Sequence, residues 1–151
     1  MSRIQLALNV SNLDEAIEFY SKFFKSEPSK VRPGYANFAL DEPPLKLVLI
    51  ENEPAAGSLN HLGVEVFSVG EVDEATKYLT EVGLTTRVEN ETTCCFAVQD
   101  KVWVDGVDGS PWEVYTVLED APDVAGVGGD GRCCASSTST PPDSLAPIAC
   151  C

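Results

Sequence analysis

An α+β fold assembled from two copies of one βαβββ unit is predicted by three observations. The first is a repeated strand: Gln5-Leu6-Ala7-Leu8-Asn9-Val10 is answered by His61-Leu62-Gly63-Val64-Glu65-Val66. The second is the helical pattern after each copy, holding Asp-Glu-Ala at 14–16 and again at 73–75. The third is a proline-opened strand late in each unit, Pro44-Leu45-Lys46-Leu47-Val48 and Pro111-Trp112-Glu113-Val114-Tyr115. Self-similarity on this scale means two copies of a supersecondary unit, not a solenoid.

Each element has a local reason. Residues 4–10 alternate, with Ile4, Leu6, Leu8 and Val10 on one face and Gln5, Ala7 and Asn9 on the other. Ser11-Asn12-Leu13-Asp14 reads as a helix start with an acid in the first turn. Leu13, Ala16, Ile17, Tyr20 and Phe24 then recur on one helical face. Strands are expected near 35–40 and 45–50, and Pro54 and Gly57 mark residues 51–58 as the linker between modules. In the second copy a strand at 61–67 precedes the helix start Ser68-Val69-Gly70-Glu71, with Val72, Ala75, Leu79 and Val82 as its buried stripe. Strands near 84–89, 96–99, 102–104 and 112–118, with a turn at 105–109, complete the copy. Phe38-Ala39 matches Phe96-Ala97 between the ends of the alignment. The modules span about 1–52 and 58–118, in one domain of 1–118.

From residue 119 onward the composition turns to Gly, Ala, Ser, Thr, Pro and Asp, with five acids against a single Arg132. No periodicity survives, so 119–151 is expected to be a disordered tail. Its unusual content is two cysteine pairs, Cys133-Cys134 and Cys150-Cys151, which join Cys94-Cys95 in the core.

The 151 residues carry a net charge of −14, with ten Lys and Arg against 24 carboxylates. That balance argues against a nucleic-acid partner, because it leaves no broad phosphate-binding surface. No apolar run approaches the roughly 18–20 residues that span a bilayer, so no membrane association is expected. Met1-Ser2-Arg3-Ile4-Gln5 runs directly into a strand, which gives a cytoplasmic expectation. In a reducing cytosol the paired cysteines are thiols, suited to soft metals or metalloids.

Where the copies align, the facing polar residues are Gln5, His61, Lys46 and Glu113. By strand parity Gln5, His61 and Glu113 all turn away from the helix-covered face. If the units pair side by side into a curved sheet, they meet on one concave surface. An imidazole, a carboxylate and an amide oxygen make a partly open three-ligand site for Fe(II), Mn(II) or another divalent ion. Taken singly, a strand histidine is more often a satisfied core residue; the symmetry of the positions is what raises the metal reading. Lys46 would be repelled by a dication and is not expected to coordinate. Tyr35, Asn37, Trp103 and Tyr115 are candidate pocket residues, although strand aromatics are more often core.

This pattern, over 1–118, resembles the vicinal oxygen chelate superfamily, with its glyoxalase/bleomycin resistance/dioxygenase fold. The resemblance implies a curved mixed sheet around a metal site. Four segments are more particular: Val31-Arg32-Pro33-Gly34-Tyr35-Ala36-Asn37-Phe38-Ala39, Pro43-Pro44-Leu45-Lys46-Leu47-Val48-Leu49, Asn60-His61-Leu62-Gly63-Val64-Glu65-Val66 and Thr93-Cys94-Cys95-Phe96-Ala97-Val98-Gln99-Asp100-Lys101-Val102-Trp103-Val104. They resemble the carbon–arsenic lyases and the mycobacterial cadmium-induced proteins, which share nearly all of these motifs.

The lyase resemblance implies an Fe(II)- and dioxygen-dependent enzyme that cleaves trivalent organoarsenicals such as methylarsenite to arsenite. Gln5, His61 and Glu113 would be its metal ligands and Cys94-Cys95 its substrate thiols. Some relatives carry His at the position of Gln5, and an amide oxygen is a weaker ligand than imidazole. Two thiolates can chelate one trivalent arsenic, but adjacent residues of a regular strand point to opposite faces. The pair therefore needs a loop or bulge, for which Glu89-Asn90-Glu91-Thr92-Thr93 is the candidate. Outside this context a single such cysteine is more often a small buried hydrophobe. By its proposed equivalence to Glu113, Lys46 stands where glyoxalase I-like enzymes carry a fourth, glutamate ligand, so that isomerase site is incomplete.

The cadmium-induced relatives imply the alternative of sequestration of Cd(II) or arsenite through the cysteine pairs, the tail thiols included. A third reading, a dioxygenase or resistance protein for a carbon-based molecule, gives Cys94-Cys95 no purpose. Superfamily members commonly form dimers, some exchanging modules, which the linker at 51–58 permits.

Overall fold

The computed structural model describes residues 1–94 and 96–121. Its elements are β1 (Arg3–Val10), α1 (Leu13–Phe24), β2 (Lys30–Arg32), β3 (Tyr35–Leu40), β4 (Leu45–Glu51), a short 3-10 turn (Glu53–Ala55), β5 (Leu59–Glu65), α2 (Val69–Glu81), β6 (Thr86–Cys94), β7 (Ala97–Asp105) and β8 (Pro111–Asp120). All eight strands form one mixed sheet in the order β2-β3-β4-β1-β5-β8-β7-β6. Strands β1 and β5 pair antiparallel at its centre, and each is flanked by a parallel partner, β4 or β8. The two βαβββ modules are therefore related by an approximate twofold between β1 and β5. The sheet curls enough for its two ends to meet. Lys30 on β2 donates to the Phe96 carbonyl at 3.2 Å and pairs with Asp120 at the end of β8.

The helices form where local chemistry starts them. The Asn12 side chain accepts from the Glu15 N–H at 3.0 Å, with Asp14 and Glu15 in the first turn of α1. Ser68 accepts from the Glu71 N–H at 3.3 Å, while the Glu71 carboxylate accepts from the Phe67 N–H, a variant of the capping box. Each helix lays its apolar stripe on the outer face of its own half-sheet. Under α1 lie Ala36, Phe38, Leu47 and Leu49, all 2% exposed or less. Under α2, Val72 packs with Val66, Val102, Val64 and Val114. The opposite face of the same strands is thereby left for the site.

Several boundaries differ from the sequence expectation. The third strand of the first module is β2, three residues lying before Tyr35. The expected strands at 96–99 and 102–104 are one strand, β7, because Asp100 and Lys101 are both buried within it. Residues 89–93, expected as a loop, lie in β6, and the register shift between Glu89 and Thr92 supplies the bulge. Cys94 is the last residue of β6 and pairs with Ala97. Val82 caps α2 and is 53% exposed, so it does not belong to the buried stripe. Strand β8 runs two residues beyond 118. The expected disorder after it, with Cys133, Cys134, Cys150 and Cys151, falls outside the described residues, as does Cys95. Among the described residues no helix is long and apolar enough to cross a membrane.

Candidate metal centre and thiol cavity

Gln5 on β1, His61 on β5 and Glu113 on β8 lie side by side on the inner face, 3–6% exposed. Gln5 Nε2 donates to Glu113 Oε1 at 2.7 Å and lies 3.1 Å from His61 Nε2, which is 3.4 Å from Glu113 Oε1. Three atoms bonded in neighbouring positions to one ion, at about 2.1 Å each, stand roughly 3 Å apart. The spacing of the triad thus fits a single small divalent ion. The amide is the member that must adapt, because its nitrogen cannot ligate; a half-turn of its terminal torsion offers Oε1 instead. An imidazole, a carboxylate and an amide oxygen suit Fe(II) or Mn(II).

Each member is held by a second residue. His61 Nδ1 lies 2.7 Å from Asn60 Oδ1, which leaves the Nε2 lone pair turned to the centre. Asn60 is held in turn by the Asn9 side chain at 3.1 Å. Glu113 Oε2 accepts from Lys101 Nζ at 2.9 Å, and Lys101 is itself 1% exposed. The Tyr115 hydroxyl donates to Gln5 Oε1. Burial, with the Glu65 and Glu113 carboxylates and Tyr35, pushes the Tyr115 hydroxyl well above its ordinary value and keeps it protonated, and such a hydroxyl can accept from Nε2 once the amide has turned.

Burial alone would push the Glu113 carboxyl up. The neighbouring His61 and the Lys101 ammonium, which donates to it, outweigh that and hold the group below its ordinary 4.5. A carboxyl depressed in the folded state contributes stability that is present above 4.5 and lost as pH falls through the folded-state value. In Glu113→Gln this acid-side loss should shrink. Denaturant unfolding along a descending pH series would show it, and an unchanged acid limb would contradict the assignment.

Gly63 makes the triad possible. It stands on β5 between Gln5 on one neighbouring strand and Glu113 on the other. A Cβ there would lie 3.1 Å from Glu113 Cγ and 3.3 Å from Gln5 Nε2. Gly63→Ala should therefore push the Gln5 and Glu113 side chains apart, costing about 1–3 kcal/mol of stability by overpacking and lowering affinity for a divalent ion at the triad. Thermal unfolding and metal titration would measure both; unchanged metal affinity would show that the spacing is not critical.

The register corrects one sequence expectation. Gln5 pairs with Gly63 and Ala7 with His61, so the twofold does equate Gln5 with His61 and Ala7 with Gly63. Ala7 pairs with Val48, whereas Gly63 pairs with Glu113. The first-module counterpart of Glu113 is therefore Val48, and Lys46 lies two residues earlier. A slip of two preserves the face of every side chain, so alternation could not reveal it. The fourth position around the centre is apolar. Lys46 is turned aside, its Nζ 2.7 Å from Glu65, which also binds Arg3 at 2.7 Å.

A cavity opens beside the triad, lined by Gln5, His61, Glu113, Tyr35, Lys46, Val48, Gln99 and Cys94. Cys94 is 4% exposed. Of the other candidate pocket residues, Asn37, Trp103 and Tyr115 back the residues that line it. Asn37 donates to the Tyr35 hydroxyl at 2.8 Å, Trp103 stands edge-on to His61 with centroids 5.5 Å apart, and Tyr115 holds Gln5. Sequence reasoning missed Lys101, Gln99, Glu65, Asn60 and Gly63. Reading 97–105 as one strand would have placed Gln99, Lys101 and Trp103 on a single face.

Two βαβββ modules sharing one sheet, with a polar triad at the twofold and a cavity beside it, define a paired-module protein whose site lies on the inner sheet face. The chain belongs to the Glyoxalase/Bleomycin resistance protein/Dioxygenase superfamily, whose family model matches residues 3–114. It is 57% identical over 145 residues to a trivalent organoarsenical cleaving enzyme of Thermomonospora curvata, covering 95% of this chain and 92% of that one. It is 62% identical over 121 residues to the cadmium-induced protein CadI of Mycobacterium tuberculosis, covering 80% of each. Among solved structures, an extradiol ring-cleaving dioxygenase from B. fuscum shares the fold at TM-score 0.58 and 20% identity, over 80% of this chain and 34% of that one. A Mn(II)-bound glyoxalase from Novosphingobium aromaticivorans does so at 0.55 and 20%, over 83% and 44%.

Proposed function

We propose that this chain is a carbon–arsenic lyase that converts trivalent organoarsenicals to inorganic arsenite. The observation that carries the reading is the shared cavity: the Cys94 thiol is buried in the same small space as Gln5, His61 and Glu113. A soft thiol beside hard ligands suits a thiophilic substrate that meets a metal-dependent reaction. The 57% identity to an organoarsenical cleaving enzyme over nearly the whole of both chains supports it.

Gln5, His61 and Glu113 hold the divalent ion, Fe(II) in this reading, which when bound supplies the dioxygen chemistry. Cys94, with Cys95, exchanges onto arsenic and fixes the carbon substituent toward that centre, the orientation contribution to catalysis. Lys101 keeps Glu113 anionic, and Asn60 keeps the His61 lone pair directed inward. The stoichiometry closes without an external reductant: one methylarsenite and one dioxygen give one arsenite and one formaldehyde.

A second reading, sequestration of Cd(II) or arsenite by the cysteine pairs, is favoured by the 62% identity to the cadmium-induced protein. Protection of cells against methylarsenite separates the two. A lyase loses it with Glu113→Ala and keeps it when Cys133, Cys134, Cys150 and Cys151 are all changed to Ser. The opposite pattern would establish sequestration.

A further inference from the structure

The cavity holds one polar atom that the described residues leave unsatisfied. Gln99, on β7, is 7% exposed and lines the cavity with Cys94, His61 and Glu113. Its Nε2 faces the Cys94 carbonyl oxygen at 3.5 Å, while its buried Oε1 has no hydrogen-bond partner among the described residues. Strand alternation places Gln99 on the same face as Lys101, which binds Glu113. A buried acceptor without a donor costs free energy, so in a cavity it favours a ligand that brings the donor.

We propose that Gln99 is a substrate-binding residue whose Oε1 accepts a hydrogen bond from a hydroxyl on trivalent arsenic held by Cys94. The inference rests on the organoarsenical reading and adds a selectivity to it. When the Cys94 thiol meets an arsenical with two hydroxyls, an S–As bond forms and one As–O bond breaks. The thiol proton leaves with that hydroxide as water, and arsenic stays trivalent. The second hydroxyl remains on arsenic, in the cavity that Cys94 and Gln99 both line, and donates to Oε1. An arsenical with two carbon substituents has a single hydroxyl, loses it in the same exchange and offers Gln99 nothing. The amide therefore selects monosubstituted over disubstituted arsenicals at the stage of first capture, before a second thiol displaces the remaining hydroxyl.

The test uses the Fe(II)-loaded full chain carrying Cys95→Ser, Cys133→Ser, Cys134→Ser, Cys150→Ser and Cys151→Ser, so that Cys94 is its sole thiol. Equilibrium binding of methylarsenite and of dimethylarsenite is measured without oxygen, with and without Gln99→Met, and again with Gln99→Leu. Loss of one buried hydrogen bond should weaken methylarsenite binding about tenfold and leave dimethylarsenite binding unchanged. The unchanged ligand also reports that the variant is folded. If both arsenicals weaken equally, or neither does, Gln99 does not read the hydroxyl, although Cys94 remains the capture site. If the parent binds neither arsenical while the wild type binds methylarsenite, capture needs both thiols and this inference fails although the organoarsenical reading stands; if the wild type binds neither, that reading fails and this inference with it.

Discussion

Glu113→Ala should abolish arsenite production and destabilise the fold by about 3–5 kcal/mol. The two losses have separate causes. In the proposed site the Glu113 carboxylate would be the anionic ligand, and it also receives Lys101 Nζ at 2.9 Å where both side chains are at most 3% exposed. Removing it leaves a buried ammonium without its carboxylate, facing the rings of Trp103 and Tyr115 at 5.2 and 5.9 Å. Cation–π attraction of about 2 kcal/mol when desolvated replaces only part of that. Combining Glu113→Ala with Lys101→Met should therefore recover much of the stability and none of the activity. Denaturant unfolding gives the double-mutant cycle, and iron content with turnover gives the rest. A Glu113→Ala protein that still bound iron tightly would remove Glu113 from the ligand set.

Cys94→Ser should have the opposite profile, an intact fold with its metal and no substrate capture. The change is close to isosteric at a buried position. Its structural cost is that of placing one hydroxyl among Ala7, Tyr35, Val48 and Ile50, about 1–3 kcal/mol. Trivalent arsenic exchanges readily onto sulfur, whereas a serine oxygen offers no gain over the water it would displace. Losing the tether loses the orientation of the carbon–arsenic bond, so turnover should fall roughly a hundredfold or more. Methylarsenite binding should weaken in parallel, with iron content unchanged. Full turnover by Cys94→Ser would show that the substrate is held elsewhere in the cavity.

The architecture and the triad were legible because both depend on parity. Gln5 lies between Ile4 and Leu6, Glu113 between Trp112 and Val114, and His61 out of step with Leu62 and Val64, so a period of two assigns their face without any tertiary knowledge. The limits of that signal are equally physical. Lys46 was matched to Glu113 because parity is blind to a slip of two; the ladder, pairing Val48 with Ala7 and Glu113 with Gly63, resolves it. Lys101 and Asp100 are charged residues within a strand, where composition suggests a break, and they are tolerated because Glu113 and the Glu91 N–H bind them. Strand β2 is three residues, Lys-Val-Arg, too short for any periodicity. Gly63 carries no side-chain signal at all; its role emerges only when two neighbouring strands bring Gln5 and Glu113 against it. The convergence of Cys94 on the triad depends on curling the sheet until the end of β6 faces β3, where Cys94 shares a core cluster with Tyr35 and the Tyr35 ring meets Phe96, just beyond β6, at 5.7 Å.

The most direct test of the central claim is anaerobic reconstitution with Fe(II), addition of methylarsenite, and then admission of oxygen while arsenic speciation and formaldehyde are followed. Arsenite and formaldehyde appearing in equal amounts, only after oxygen and with neither Glu113→Ala nor Cys94→Ser active, is the predicted result. Stoichiometric retention of unchanged methylarsenite by the wild type, persisting in Glu113→Ala, would contradict it and leave a thiol-based sequestering protein.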